Sequence, residues 1–75
     1  MSIHVGVAYS PHRDEGVAEF HVAHDGIIDI PAEIFRSGGR AMVALYSRAE
    51  GVAWEYPSSD FLAAIGAGIA IIEGV

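Results

Sequence analysis

The chain has 75 residues, which allows one small domain, residues 1–75, and leaves no room for a second. Its formal net charge is −6 and its only lysine-type or arginine-type cations are Arg13, Arg36, Arg40 and Arg48, so direct nucleic-acid binding through a basic patch is not expected. Cysteine is absent, which removes disulfides, cysteine-ligated zinc and thiol nucleophiles, while hydrophobic residues make up 52% of the chain, more than so small a core needs.

The first element is read from SIHVGVAYS, where Ile3, Val5, Val7 and Tyr9 alternate with His4, Gly6 and Ala8. Period two predicts a half-buried strand. SPHRDEG then reads as a loop at a solvated hairpin tip, because proline, aspartate and glycine cluster in it. GVAEFHVAH alternates again, with Ala18, Phe20 and Val22 on one face and Val17, Glu19, His21 and Ala23 on the other. Matching the apolar faces puts Val5 opposite Phe20, Val7 opposite Ala18 and His4 opposite His21, since a slip by one residue would mix the faces.

Asp25-Gly26 signals a turn, and Ile28 and Ile30 flank Asp29 in a short strand. Pro31 stops that ladder and suits the first position of a helix. AEIFRS then reads as a short helix, with Glu33 near its positive end, Arg36 near its negative end and Gly38-Gly39 as the stop. RAMVALYS is apolar on both faces and reads as a central strand. VAWEYP reads as its return strand, with Val52, Trp54 and Tyr56 on one face.

Residues 61–75 carry a single charge, Glu73. They are too few for a membrane-spanning helix, which needs about 20 apolar residues. Gly66 and Gly68 each disfavour a continuous helix by about 1 kcal/mol. The expected solution is a helix capped by Ser59 and ended by Gly68, followed by a strand in which Ile69 and Ile71 alternate with Ala70 and Ile72.

The fold expected is α+β, a small antiparallel sheet of about four to six strands with one or two short helices on one face. Among chemistry-bearing groups, His4 and His21 with Glu19 as a diagonal carboxylate are the candidate metal ligands, since cross-strand neighbours can offer two imidazoles to one ion. No reaction motif and no cofactor motif is present, so the expectation is a protein that is not an enzyme. Trp54, Tyr56, Ile69, Ile71 and Ile72 are the candidate interface residues, being aromatic anchors and an apolar edge.

The stretch DGIIDIPAEIFRSGGRAMVALYS, Asp25 to Ser47, resembles a segment recurrent in small modules of phage structural proteins such as fibre, baseplate and minor head components. There a glycine-led strand reaches Ile-Pro, makes a short turn of helix, passes a glycine and enters a strand ending in an aromatic. Here those positions are Gly26, Ile30-Pro31, Gly38-Gly39 and Val43 to Tyr46. The resemblance implies a phage or mobile-element protein without catalytic residues, located in the host cytoplasm or the virion.

The functional expectation is therefore protein–protein association, with itself or within a larger assembly, and without a membrane. The alternatives are an acidic inhibitor or immunity protein that occludes a site on a host macromolecule, and an oligomer that binds a small molecule or metal.

Overall fold

The structure, a computed structural model, describes residues 3–24, 26–46 and 54–74, with backbone only at His24. The two alternating segments form a long hairpin: β1 (His4–Ser10) and β2 (Glu15–His24). Their register places Val5 opposite Phe20, Val7 opposite Ala18 and His4 opposite His21, as the matching of apolar faces predicts. The turn between them closes through the amides of Arg13 and Asp14, which both donate to the Ser10 carbonyl. Asp14 takes φ 54°, a left-handed conformation that aspartate tolerates, and its carboxylate accepts the Tyr9 hydroxyl.

Beyond Gly26 (φ 76°) the chain returns along β2 as β3 (Ile27–Asp29) and then β4 (Ala32–Ser37). Val22 faces Asp29 in β3, whereas Glu19 faces Glu33 in β4. Three steps along β2 thus match four along its partner, so one extra residue is accommodated around Ile30-Pro31. This is a bulge at the proline that cannot donate to the ladder.

AEIFRS is a strand and not the expected helix. Gly38 (φ 59°) and Gly39 (φ 78°) are both left-handed and join Ser37 directly to Arg40, so the pair forms a two-residue hairpin turn of type I′. A glycine pair between two apolar runs serves equally as a helix stop or as this turn. The alternation of Ile34 with Glu33 and Phe35 is what decides for the turn. The return strand is β5 (Arg40–Leu45).

The sheet order is β1-β2-β4-β5, with β3 beside the far end of β2. Among the described residues β5 is therefore the last strand on its side of the sheet and not the expected central one, and Val43 and Leu45 are exposed there despite apolar character on both faces. The return strand expected at Val52 to Tyr56 falls partly outside the described residues. Its described part, residues 54–57, lies in no strand.

The C-terminal segment is one helix, α1 (Ser58–Glu73), and not a helix followed by a strand. It starts after Pro57, which occupies the cap position without a side-chain cap, so Ser59 lies inside the first turn. It ends at Gly74 in the left-handed conformation, whose amide donates to the Ala70 carbonyl. Arg36 Nη2 donates to the Ile72 carbonyl at 2.6 Å and brings a cation to the negative end of the helix, which offsets Glu73 there.

The core forms where α1 crosses the sheet. Ala18, Phe20, Ala32 and Ile34 from the sheet meet Ala64 from the helix, with Ile3, Val5, Ala41, Phe61, Ile65, Ile69 and Ile72 packed around them. Phe20 has no exposed surface, and burying a side chain of its size contributes about 1.5–3 kcal/mol. Gly68 makes the close crossing possible: a Cβ there would stand 2.6 Å from Ile34 Cγ1.

Candidate functional site

The face of the sheet away from α1 carries the polar chemistry. Period two sends His4 and Gly6 of β1, Glu19 and His21 of β2, and Glu33 of β4 to this face. The three expected metal-site residues are brought together there. The His4 and His21 rings lie 5.8 Å apart between centroids and nearly parallel, and Glu19 Oε1 lies 3.0 Å from His21 Nε2. Among the described residues, no three histidine, aspartate or glutamate side chains converge as a metal-holding group.

Beside this row lies a cluster that sequence reasoning missed. Glu33, expected at a helix start, is only 3% exposed, and Arg13, expected at a solvated loop tip, folds back over it. Arg13 Nε donates to Glu33 Oε1 at 2.8 Å, and the guanidinium carbon stands 3.5 Å from the Phe35 ring centre. A guanidinium can stack on a ring face and hold a carboxylate at once, which a lysine would do less well.

Burial alone would raise the Glu33 pKa. A hydrogen bond from the Tyr46 hydroxyl, the Arg13 hydrogen bond, and the charges of Arg13 and His12 outweigh it, so the carboxyl is held below its ordinary value. Burial, and then the same hydrogen bond to Glu33, raises the Tyr46 phenol. The Glu33 hydrogen bond holds Arg13 above its ordinary value. Ser10 and His12 complete the cluster, Ser10 Oγ lying 3.2 Å from His12 Nδ1. Ser10 is 5% exposed, so its hydroxyl serves the loop and does not face a substrate. The signal that could have found this cluster is a glutamate between Ala32 and Ile34 in an alternating run that ends in Gly-Gly.

The expected interface residues divide differently. Trp54 stacks on Tyr56 at 6.0 Å, Tyr56 stacks on Phe61 at 6.3 Å, and Phe61 meets Phe20 edge-on at 5.7 Å. These aromatics form a column leading into the core. Ile69 and Ile72 also pack against the core from α1, while Ile71 is 38% exposed on the helix. The edge-strand contact expected of Ile69, Ile71 and Ile72 has no strand to carry it.

The open apolar surface lies elsewhere. Among the described residues, nothing pairs with the outer edge of β1 or of β5. α1 covers Ile3 and Val5 but not the far half of β1, leaving Val7 73% and Tyr9 60% exposed. Between β1 and α1 runs a groove of about 330 Å³ lined largely by Ile3, Val5, Ala63, Ala64 and Ala67. No helix among the described residues is long and apolar enough to cross a membrane.

Comparison with known proteins adds no relative: no family model, curated protein or solved structure matches the chain.

Proposed function

We propose that the chain is a non-catalytic association module that pairs with a second copy of itself through the free edge of β1, joining two sheets into one. The observation that carries this reading is that, among the described residues, nothing pairs with the outer edge of the seven-residue β1, in which Val7 is 73% exposed. Exposed edges are normally blunted by lysine, proline, a bulge or an inward charge. β1 has none of these; His4–Ser10 contains no acid, lysine or arginine in a chain of net charge −6. A second copy meets no like charge along this line, and the edge amides and carbonyls gain partners. Among the described residues β5 also has a free edge, but it is one residue shorter and starts at Arg40.

Antiparallel self-pairing over the whole strand puts Val7 opposite Val7, Val5 opposite Tyr9 and His4 opposite Ser10. Apolar faces then meet apolar faces, as register requires. Incorporation into a larger particle, the role implied by the resemblance of Asp25 to Ser47 to phage structural modules, would extend the same edge pairing.

The test is sedimentation of the intact chain beside its Val7→Lys variant, with circular dichroism to confirm that both are folded. The expected result is a dimer that Val7→Lys converts to a folded monomer. A wild-type chain that stays monomeric at micromolar concentration overturns self-pairing and turns attention to an occluding inhibitor. A dimer indifferent to Val7→Lys rejects the β1 edge.

A further inference from the structure

The polar face holds a feature that edge pairing does not use. His4 and His21 are register partners, and Gly6 and Glu19 are the next outward-facing pair along the same two strands. Gly6 has no side chain, and a Cβ placed there would lie 3.5 Å from His4 Nε2, 3.7 Å from His21 Nδ1 and 3.4 Å from His21 Cε1. The missing methyl thus leaves a notch flanked by one nitrogen from each ring.

Glu19 settles which His21 nitrogen is available. An ionised carboxylate only accepts hydrogen bonds, so His21 Nε2 carries the proton it donates to Glu19. In the neutral ring the lone pair is then on Nδ1, the nitrogen beside the notch. A carboxylate holding the far nitrogen of a histidine whose near nitrogen is free is the arrangement that orients metal-binding imidazoles. Glu33, the register partner of Glu19, is committed to Arg13 and Tyr46 and does not compete for His21.

We infer that His4 and His21 form a two-imidazole site for a borderline divalent transition ion such as zinc, seated over Gly6. Glu19 is a positioning residue and not a ligand, which revises its expected place in the metal set. Zinc takes imidazole nitrogen at about 2.0–2.1 Å and prefers four donors, so water fills the remaining positions. His4 is exposed, and its ring, nearly parallel to that of His21, turns on binding so that both in-plane lone pairs aim at one ion. Glu19 beside His21, in a chain of net charge −6, favours a cation over an anion.

The experiment is calorimetric titration of the intact chain with zinc chloride in a non-coordinating buffer, with histidine ring signals followed by NMR. The expected result is one saturable zinc per chain, with shifts at His4 and His21 but not at His12. His4→Phe keeps a flat ring, removes the nitrogen and abolishes binding. Gly6→Ala fills the notch and weakens binding while both histidines remain. Glu19→Gln weakens it about 10-fold to 100-fold, the usual effect of losing a carboxylate that orients a ligand. No saturable binding to the wild type overturns the site. So does an isotherm unchanged in both folded His4→Phe and Gly6→Ala, which would place the zinc elsewhere. Val7→Lys leaves the site intact, so loss of self-pairing and loss of zinc binding are separate outcomes.

Discussion

Glu33 shows how one residue ties three elements together. Its carboxylate sits on β4, its guanidinium partner comes from the β1–β2 turn, and its phenol donor follows β5. A buried carboxylate with such partners is depressed in the folded state, and the sign of its contribution follows. The stability it adds is complete above its unfolded pKa and is lost as pH falls through the lower folded value. Glu33→Gln keeps the shape but gives up the charge, and should cost about 1–3 kcal/mol at neutral pH, as for a buried group whose partners are left unmatched. Urea unfolding of both proteins across a pH series should show that difference shrinking as the wild-type carboxylate is protonated. A constant difference down to the lowest pH would mean that Glu33 acts through packing and not through charge. The same residue marks where sequence reading stopped. Its burial depends on Arg13 folding back across 20 positions of chain, a contact that period and propensity do not encode.

At the scale of elements, legibility followed how local the deciding physics was. The β1–β2 register was readable because each strand has one strongly apolar face, and a slip by one residue would bury Glu19 or His21 in place of Phe20. AEIFRS was not, because Pro31, Glu33, Arg36 and Gly-Gly satisfy helix signals and hairpin signals alike. In the sequence Gly68 shows only its propensity penalty, which argues for a helix end there, whereas its reason is tertiary: the helix reaches Ile34 and Phe20 only where Cβ is missing. Gly66 and Gly68, two residues apart on α1, therefore respond oppositely to a methyl group. Gly66→Ala meets nothing within 4 Å and should stabilise the fold by about 1 kcal/mol through helix propensity. Gly68→Ala gains the same propensity but drives its methyl into Ile34, a buried branched side chain. Overpacking of about 1–3 kcal/mol should win, so this variant is destabilised. Thermal melts of the two variants should therefore move in opposite directions, by about 4–8 °C per kcal/mol in a domain of this size. Two upward shifts would mean that α1 lifts off the sheet without loss.

The whole molecule sets charge against apolar surface. Each copy carries −6, so two copies repel at long range, while the β1 edge that would join them carries no acid. Repulsion between exposed charges is screened by salt: the Debye length falls from about 30 Å at 0.01 M to about 8 Å at 0.15 M ionic strength. Backbone pairing and apolar contact along β1 have no comparable sensitivity. Self-association through this edge should therefore tighten as sodium chloride is raised over that range, which sedimentation at a fixed chain concentration can follow. An association held by ion pairs, for example between Arg40 of one copy and an acid of another, would weaken over the same range. Val7→Lys separates the contributions further: it lowers the net negative charge, which by itself would favour dimers, yet it places a lysine on the edge, where desolvation opposes pairing. If the edge governs assembly, the variant stays monomeric at both ionic strengths although its overall repulsion is smaller. If net charge governs, it dimerises more readily than the wild type at low salt.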